Sequence, residues 1–560
     1  MVDSQWRRMA WIGVVLALFV GTGLVGQWTE KPNRPLSVLL LTVESLRFDA
    51  VSPETTPNLV RLAAEHGVRY TNHRAVSAWT GTNIVTLLTG WSPFRHGVHS
   101  RGQRPSTQHD LALEVIADHG WRVAGLQAFM RVPIFDGLGL GREGVDAAGD
   151  TGPGGRPDQP GRWLSARADD REPFVLWYHY LHTHLPYRPS DPFDVEWESL
   201  LPALEGEAAT VRAERFRRLR TLGKIETGSA RFEADDRPAV EALYLAGAHE
   251  FDAWFAQLWA LLEDTGLIDN TVVVVTADHG EELLERGHVG HASTSLDGHL
   301  HEEIVRLPLF VFLPERVAGP AAGGVIARPS DHADLMATVF PLLGLDLPPG
   351  IDGADLRAVP NHRIWTGVTS KAGYSEPNPA QPEAMLFAAV DGPWKLHRVE
   401  PADGPSMTRL YDLAVDPTES IDRASAHPQV VARLGGAIEQ ARNTALPVPR
   451  AGAAVAAVGP RPVWRRPPGS GVYSFADVGG RFSLEWEGPA DQRYVVEYRY
   501  LDGAGWLDGT LPVDGTQLDF GAIDRRYWDT WIVPNGPYRL RVGYAGSKAN
   551  WSEWIELNAE

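Results

Sequence analysis

The sequence contains no cysteine at any of its 560 positions. Disulfides, thiolate metal sites and cysteine-derived nucleophiles are therefore excluded. Positive charge is also scarce, because 52 Lys and Arg stand against 71 Asp and Glu and the net charge is −19. An acidic surface repels phosphate backbones, so no nucleic acid partner is expected. Hydrophobic residues make up 43% of the chain, which is enough to form a sizeable core.

One long apolar run lies near the N-terminus. Residues 9–26 carry no charge and directly follow Arg7 and Arg8. A run of this length spans a bilayer as a helix, and the arginines favour a cytoplasmic N-terminus. A cleaved signal peptide is the alternative interpretation. Both interpretations predict export. In the first, residues 1–28 anchor the chain in a bacterial inner membrane with the catalytic domain on the periplasmic side. In the second, the cleaved chain is secreted.

Short apolar runs alternate with helical patterns through most of the chain. Residues 36–43, 174–177 and 271–276 are continuously apolar, as expected of strands buried on both faces. Residues 56–66 and 239–265 have helical spacing of apolar side chains. The alternation predicts an α/β domain with a mainly parallel sheet flanked by helices. Active sites of such sheets lie beyond the carboxyl ends of the strands, so the residues that follow each strand are candidates.

The composition changes near residue 446. Pro, Ala and Gly dominate residues 446–471, which predicts a linker between a catalytic domain of residues 36–445 and a C-terminal domain of residues 472–560. Residues 494–500 (YVVEYRY) alternate in character, and short strand-like runs with turn residues follow. The last domain is therefore predicted to be an all-β sandwich.

Three stretches of this last domain resemble a fibronectin type III module: residues 482–486, 538–542 and 551–554. A sandwich of another family is the alternative. The domain has no cluster of catalytic or metal-ligating side chains in its sequence. We therefore expect it to be a binding module or a spacer and not a catalytic domain.

Polar residues directly follow two of the predicted strands. Glu44 comes directly after the first strand, and Asp278 with His279 follows the strand at 271–276. Two carboxylates and an imidazole at one sheet edge are suitable ligands for one divalent metal ion. Mixed nitrogen and oxygen ligation favours Zn²⁺ or Mn²⁺, with Ca²⁺ or Mg²⁺ as alternatives that prefer more oxygen ligands. Glu44 taken alone has the alternative role of capping the next helix.

The order of short motifs along the chain resembles the sulfatase-like branch of the alkaline-phosphatase superfamily. The resemblance extends from residue 36 to about residue 422. The matching segments, in family order, are ESLRFD (44–49), TPNLVRLA (56–63), LLTG (87–90), RHGV (95–98), HTHLPY (182–187), DHGE (278–281), GH (290–291), HADL (332–335), IDG (351–353), WKL (394–396) and LYDL (410–413).

This resemblance implies roles for particular residues. Glu44, Asp278 and His279 match the positions of metal ligands in the family. His184 and His291 match histidines that contact the transferred group or assist the leaving group in relatives. Three further histidines match more weakly and are left outside the predicted site: His288, His299 and His301.

The family pattern changes at the nucleophile. Sulfatases carry Cys-x-Pro-Ser-Arg ahead of the LLTG helix, and the cysteine or serine becomes formylglycine. In this chain Thr80 replaces the cysteine and Ile84 replaces the arginine. Threonine cannot be converted to formylglycine, so the resemblance argues against formylglycine-dependent sulfatase chemistry.

Threonine nucleophiles occur elsewhere in the superfamily. The Thr-x-x-Asn spacing of Thr80 and Asn83 resembles nucleotide phosphodiesterases, in which the asparagine helps to hold phosphoryl oxygens. Glu44 in place of aspartate resembles phosphoethanolamine and phosphoglycerol transferases. A threonine at a helix N-terminus lies where a phosphate also prefers to bind, and metal coordination activates its hydroxyl. We therefore expect Thr80 to be nucleophile and fourth ligand, with Thr82 as the competing hydroxyl and a helix N-cap as the alternative role.

The expected function is metal-dependent hydrolysis of phosphate or phosphonate esters, in preference to sulfate esters, through a phospho-threonine. The expected substrates are small-molecule, lipid head-group or glycan esters. One alternative is transfer of a head group to an acceptor at the membrane surface. A second is a catalytically degenerate protein that binds a glycan or lipid head group.

Overall fold

The structure is a computed structural model that describes most of the chain from residue 34 onward. The described residues from Leu36 onward belong to one compact unit. The described residues are 34–99, 111–127, 145–146, 158–170, 172–181, 183–221, 232–291, 298–317, 319–358, 360–370, 384–401, 403–443, 461–466, 470–478, 481–489, 493–502, 505–514, 516–522, 525, 528, 537–544 and 551–559. The predicted anchor or signal segment lies outside them. No helix in these ranges has both the length and the apolar composition needed to cross a membrane.

The first domain contains a large mixed sheet and a smaller antiparallel sheet. The strands in its described part are β1 (Ser37–Val43), β2 (Gly67–Arg74), β3 (Arg122–Gln127), β4 (Val145–Asp146), β5 (Phe174–Tyr180), β6 (Thr271–Ala277), β7 (Glu282–Leu283), β8 (Val289–Gly290), β9 (Arg306–Phe312), β10 (Gly324–Ile326), β11 (Ser330–Asp331), β12 (Trp365–Ser370), β13 (Met385–Asp391), β14 (Trp394–Glu400) and β15 (Met407–Asp412).

The strand order of the large sheet is β10-β2-β9-β6-β1-β5-β3-β4, with β11 also paired to β2. The pairs that flank β1 are parallel, and β9 is antiparallel to both β2 and β6. Every residue of β1, β5 and β6 is buried, which explains their continuous apolar sequences. The predicted α/β domain with a mainly parallel sheet is confirmed.

Helices cover both faces of this sheet. The helices in the described part of the domain are α1 (Pro57–His66), α2 (Thr80–Thr89), α3 (Pro93–His96), α4 (Ala112–Asp118), α5 (Asp158–Asp170), α6 (Gly206–Thr221), α7 (Arg237–Asp264), α8 (Glu302–Val305), α9 (Ala333–Leu343) and α10 (Pro428–Arg442).

Alternate residues of β1 enter two different cores. Leu39 and Leu41 belong to a core that includes residues of α1 and α7, whereas Val38 and Leu40 belong to one that includes residues of α2 and α9. Successive side chains of a strand point to opposite faces, so a strand with two buried faces requires apolar residues at every position. The small sheet, in the order β12-β13-β14-β15, forms a further core with α10.

The C-terminal part of the chain forms two more sheets. Its described elements are β16 (Val463–Arg466), β17 (Gly471–Tyr473), α11 (Phe475–Val478), β18 (Arg481–Glu487), β19 (Arg493–Asp502), β20 (Gly505–Asp514), β21 (Gln517–Ala522), β22 (Tyr538–Tyr544) and β23 (Ile555–Ala559). One sheet has the order β16-β18-β21 and the other β17-β23-β22-β19-β20. Side chains of both sheets share one core, as the sandwich prediction requires.

This sandwich begins earlier than the sequence predicted. Strand β16 lies inside residues 446–471, and its Trp464 is buried against Trp486 of β18 with ring centroids 5.9 Å apart. The sequence did not indicate this strand, because a short edge strand flanked by prolines and glycines has the composition of a linker. The predicted boundary at residue 472 is therefore too late.

Near the C-terminus, arginines stack on the predicted tryptophan pair. The Arg541 guanidinium lies 4.7 Å from the Trp551 ring centroid and 4.6 Å from that of Trp554. The Arg499 guanidinium also lies 4.9 Å from the Trp554 ring centroid. Such cation–π contacts stabilise strand pairing at a surface where the tryptophans are only partly buried.

We predict that a chain ending at Arg450 folds and keeps its activity on small soluble esters. The sandwich core contains no residue from the α/β domain, so removing the sandwich leaves the cores around β1 intact. Thermal unfolding and ester turnover of the shortened chain should match those of the full chain. A folded, soluble product without turnover would show that the sandwich completes the active site.

Candidate active site

Neighbouring strands of the large sheet end at the same level and bring carboxylates together. Val43 at the end of β1 is level with Tyr180 of β5 and Ala277 of β6. Glu44 and Asp278 are therefore the next residues along two paired strands. Both side chains are fully buried. The register of the sheet thus places two carboxylates side by side.

An imidazole and a hydroxyl complete this group. His279 Nε2 lies 3.2 Å from Glu44 Oε1 and 3.3 Å from Asp278 Oδ2. The Thr80 hydroxyl lies 3.0 Å from the same nitrogen and donates a 3.1 Å hydrogen bond to Glu44 Oε1. The four residues predicted as metal ligands therefore lie together.

Backbone groups orient two of these side chains. His279 Nδ1 donates to the carbonyl of Gly280 over 2.8 Å, which leaves Nε2 as the nitrogen that can bind a metal ion. Asp278 Oδ1 accepts the backbone N–H groups of Ser45 and His279, each at 2.9 Å. Its second oxygen, Oδ2, is buried and has no hydrogen-bond partner among the described residues. A buried carboxylate oxygen without a hydrogen bond is unfavourable, and a metal ion bound to it would offset that cost.

The two threonines in the first turn of α2 point in different directions. Thr80 is partly exposed and contacts His279 and Glu44, whereas Thr82 is buried and donates to the Val98 carbonyl at 3.0 Å. Residues two positions apart on a helix point about 200° apart, so the two side chains cannot share one surface. The hydroxyl at the carboxylate group is that of Thr80.

Asn83 does not occupy the position that the sequence predicted. Its Oδ1 accepts the N–H groups of Val76 at 3.1 Å and Ser77 at 3.0 Å, and its Nδ2 donates to the Ser77 carbonyl at 2.9 Å. The side chain is fully buried. Because the amide oxygen is taken up by two buried backbone donors, Asn83 fixes the loop before Thr80. It is not directed towards substrate oxygens.

His179 belongs to the site and was missed by sequence reasoning. Its Nε2 lies 2.6 Å from Glu44 Oε2, and its Nδ1 lies 2.7 Å from the Thr42 hydroxyl. The residue is the last but one of β5, whose sequence FVLWYHY has the appearance of a core strand. A polar residue near the carboxyl end of a parallel strand was the available signal. His179 holds the Glu44 oxygen that faces away from Thr80.

The two histidines predicted to contact substrate also lie here. The ring centroid of His291 is 4.1 Å from that of His279 and 5.2 Å from that of His184. His291 Nδ1 lies 2.9 Å from Glu281 Oε1, and His184 Nδ1 contacts the Leu185 carbonyl. Both imidazoles are thus oriented by a partner at Nδ1.

A strained turn carries the first carboxylate into position. Ser45 has a φ of 57°, in the left-handed region that costs a non-glycine residue about 1–3 kcal/mol. The Tyr244 hydroxyl of α7 donates to the Ser45 carbonyl and accepts the Arg47 N–H, both at 2.8 Å. This clamp, which α7 supplies, stabilises the turn that follows Glu44.

The buried charges are strongly coupled. Burial raises the pKa of Asp278 to about 6, and the charge of Glu44 acts in the same direction. Burial also opposes the ionisation of Glu44, but hydrogen bonds from His179 and His279 hold its pKa well below the usual value. At His279, the attraction of Asp278 and Glu44 outweighs burial and raises the pKa to about 10. A protonated His279 therefore supplies positive charge beside the two carboxylates.

These residues fit a divalent metal ion. Glu44, Asp278 and Thr80 offer oxygens and His279 offers one nitrogen, and this donor set suits Zn²⁺ or Mn²⁺. The unpartnered Asp278 Oδ2 is the atom whose burial a metal ion would compensate. His179 lies behind Glu44 and is placed to orient it as an outer partner.

Comparisons with known proteins give matches to sulfatases and to a phosphonate monoester hydrolase. The Sulfatase family model matches residues 159–345. Arylsulfatase K from Xenopus laevis is 27% identical over 213 residues, which cover 37% of this chain and 38% of the relative. Arylsulfatase A from Homo sapiens is 25% identical over 490 residues, covering 72% of this chain and 86% of the relative. The solved phosphonate monoester hydrolase SpPMH from Silicibacter pomeroyi has a TM-score of 0.55 at 20% identity, covering 73% of this chain and 95% of that chain.

Residues 159–345 of this chain are therefore similar to sulfatases. The sheet and helices of the chain have the alkaline-phosphatase-like fold of the structures that it resembles. The match to arylsulfatase K spans only 38% of that relative's length. The matched residues of the sulfatase domain include Asp278, His279 and His291, and the pairing of β1 with β6 joins Glu44 to them.

We predict that Asp278→Ala lowers the affinity of the protein for divalent metal. Loss of a direct ligand should cost at least the ~10–100-fold that changes to outer partners cost. Metal content after dialysis, measured by mass spectrometry, tests this. Asp269→Ala, an exposed aspartate ahead of β6, is the matched control and should behave as wild type. Equal metal content in all three proteins would remove Asp278 from the ligand set.

Proposed function

We propose that this protein is a metal-dependent hydrolase of phosphate or phosphonate esters that uses Thr80 as its nucleophile. The contact of the Thr80 hydroxyl with both His279 Nε2 and Glu44 Oε1 carries the proposal. Thr80 is partly exposed, whereas Glu44, Asp278 and His279 are fully buried. The hydroxyl is therefore the atom of this group that an entering ester meets first.

A divalent ion held by Glu44, Asp278, His279 and Thr80 supplies Lewis-acid chemistry when bound. The chain itself positions the nucleophile. Thr80 begins α2, so the backbone N–H groups of the first helical turn lie beside its hydroxyl and favour an anionic group there. Bonds from Asn83 to the preceding loop keep this helix start in place.

In the proposed reaction, Thr80 Oγ1 forms a bond to phosphorus while the bond from phosphorus to the leaving alcohol breaks. The threonine gives up its hydroxyl proton, and the alcohol takes one. His184 and His291 are the proposed proton carriers. The Nδ1 atom of each contacts a protein oxygen, so Nε2 is the nitrogen proposed to exchange the proton. The ring of His291 lies next to that of His279, and the ring of His184 lies next to that of His291. Water then attacks the phospho-threonine, which restores Thr80 and releases the phosphate or phosphonate product.

The side chain at position 80 supports phosphorus esters over sulfate esters. Formylglycine sulfatases require a residue that can be oxidised to an aldehyde, and threonine cannot supply that group. A secondary alcohol that a metal ion activates is instead suited to forming a phosphate ester. The comparisons include a phosphonate monoester hydrolase as well as sulfatases, which is consistent with ester hydrolysis at phosphorus or at sulfur.

Head-group transfer is the second candidate function. It shares the phospho-threonine, which an acceptor alcohol rather than water would then attack. Glu44 in place of aspartate and the apolar run at residues 9–26 favour it. Product analysis distinguishes the two, since transfer needs an added alcohol and yields a new ester, whereas hydrolysis proceeds in water alone.

We also propose that residues 1–28 anchor the protein with the sulfatase domain outside the cytoplasm, on the evidence of the apolar run and the arginines before it. Protease added to spheroplasts should then digest the sulfatase domain while a cytoplasmic marker stays intact. Complete protection of the domain, with digestion restored only after lysis, would contradict this topology. A shortened mature N-terminus would identify cleavage instead of anchoring.

The central prediction compares two hydroxyls of one helix. Thr80→Ala should reduce phosphodiester turnover by at least ~10³-fold, since it removes the nucleophile. Thr82→Ala is the matched control: it removes a buried hydrogen bond to Val98, which costs stability of about 1 kcal/mol but leaves the site intact. Steady-state rates on paired phosphodiester, phosphonate and aryl sulfate substrates, with and without chelator, measure both effects.

Two results would overturn this assignment. The first is a trapped phospho-enzyme that maps to Thr82 in peptide mass spectrometry. The second is faster turnover of an aryl sulfate than of the matching phosphodiester. A folded wild-type protein that retains no metal and turns over none of the esters would favour the degenerate binding protein.

A further inference from the structure

A second group of histidines lies outside the site described above. It consists of His299 and His301, which precede α8, and His397 of β14. The ring centroids of His299 and His301 are 4.8 Å apart, and those of His301 and His397 are 4.7 Å apart. His301 is thus the middle ring of three. We call these residues the second histidine cluster.

Hydrogen bonds orient His299 as they do a metal-binding histidine. Its Nε2 lies 3.0 Å from Glu282 Oε2, so the ring proton is on Nε2 and Nδ1 carries the lone pair. A carboxylate behind a histidine is the usual outer partner of a metal ligand. His299 Nδ1 accepts the backbone N–H of His301 at 3.4 Å and lies 3.0 Å from His301 Nδ1. Two nitrogens that bind one Zn²⁺ tetrahedrally are about 3.3 Å apart, so little movement would be needed.

His397 repeats this arrangement on the other side of His301. Its Nε2 lies 2.6 Å from Glu419 Oε2. Glu419 is buried and has a φ of 55°, in the left-handed region that non-glycine residues rarely adopt. The chain therefore holds this carboxylate behind the histidine at a conformational cost, which is common at functional sites.

The ligand atoms are close enough to share one ion. One donor atom each from His299, His301 and Glu303 lies within 4.8 Å of the others, and the same holds for His301, His397 and Glu419. Both sets contain His301. The three histidines are only partly buried, so an ion from solution can reach them.

The charges near the cluster favour a cation over an anion. Glu282, Glu303 and Glu419 border it, and a bound phosphate or sulfate would be repelled by all three. Glu302 is held by two cations, Arg74 and Lys395, so its oxygens have less to offer a metal ion than those of Glu303 or Glu419, each of which pairs with one. Arg286 pairs with Glu303 and Lys395 with Glu419, so these carboxylates are positioned but keep further lone pairs.

We propose that His301 forms a second divalent-metal site suited to Zn²⁺, either with His299 and Glu303 or with His397 and Glu419. Two imidazoles with one carboxylate are a common Zn²⁺ ligand set. In the second arrangement the ion would join the segment that leads into α8 to strand β14 of the small sheet. The second site does not depend on the proposed ester hydrolysis.

The second site also lies one residue away from the first along the chain. Glu281 binds His291 of the candidate active site, and the next residue, Glu282, binds His299 of the second histidine cluster. An ion at the second site would therefore fix the segment that orients His291. The second site is thus a structural support for the first.

Zn²⁺ binding alone tests the proposal. In an Asp278→Ala background, which weakens the first site, equilibrium dialysis should still show tightly bound Zn²⁺, and Zn²⁺ should raise the unfolding temperature. Adding His301→Gln should weaken this binding at least ~10-fold and abolish the temperature shift. His288→Gln is the matched control, since His288 is an exposed histidine of the same segment and should leave binding unchanged.

His299→Gln provides a second removal that keeps the test decisive if His301→Gln fails to fold. Folding of each variant is checked by its unfolding transition in chelator. Loss of Zn²⁺ binding with a folded variant of either residue supports the site. Absence of Zn²⁺ in the Asp278→Ala background, or unchanged binding after both substitutions, overturns it. Because metal content is the readout, failure of the proposed ester hydrolysis would leave this result unaffected.

Discussion

The structure depends above all on the parallel pairing of β1 with β5 and β6. Parallel strands end at the same edge of a sheet, and here their register is such that Val43 and Ala277 are level. The next residues, Glu44 and Asp278, must then share one small volume. A slip of one residue would send alternate side chains to the wrong face and separate the carboxylates. The apolar residues of β1 fix this register because they fill cores on both sides.

Bringing two carboxylates together in a buried space is unfavourable, and the surroundings show how the cost is met. Asp278 Oδ1 is satisfied by two backbone N–H groups, and Glu44 Oε2 is satisfied by His179. The strained turn at Ser45 is held by Tyr244. The remaining oxygens, Glu44 Oε1 and Asp278 Oδ2, lie beside the Thr80 hydroxyl and His279 Nε2. The fold therefore creates a demand for positive charge at the place where a hydroxyl is presented.

Much of this arrangement could be predicted from the sequence, and the exceptions have physical causes. Glu44, Asp278 and Thr80 were predictable because they follow apolar strands or begin a helix, and strand ends meet at one edge. His179 was not, because it lies within a strand whose other residues are apolar. The role of Asn83 depends on which backbone donors a loop leaves unpaired, and no local pattern encodes that. Strand β16 was missed because neighbouring prolines and glycines dominate its composition.

Two adjacent glutamates connect the candidate active site with the second histidine cluster. Glu281 directly precedes β7 and Glu282 begins it, and successive side chains of an extended chain point to opposite sides. One carboxylate orients His291 and the other orients His299, so the segment cannot shift without disturbing both histidines. The pairing of β7 with β8 ties this segment to Gly290, directly before His291. The geometry of the candidate active site is therefore set from two directions, by the ends of the central strands and by this short hairpin.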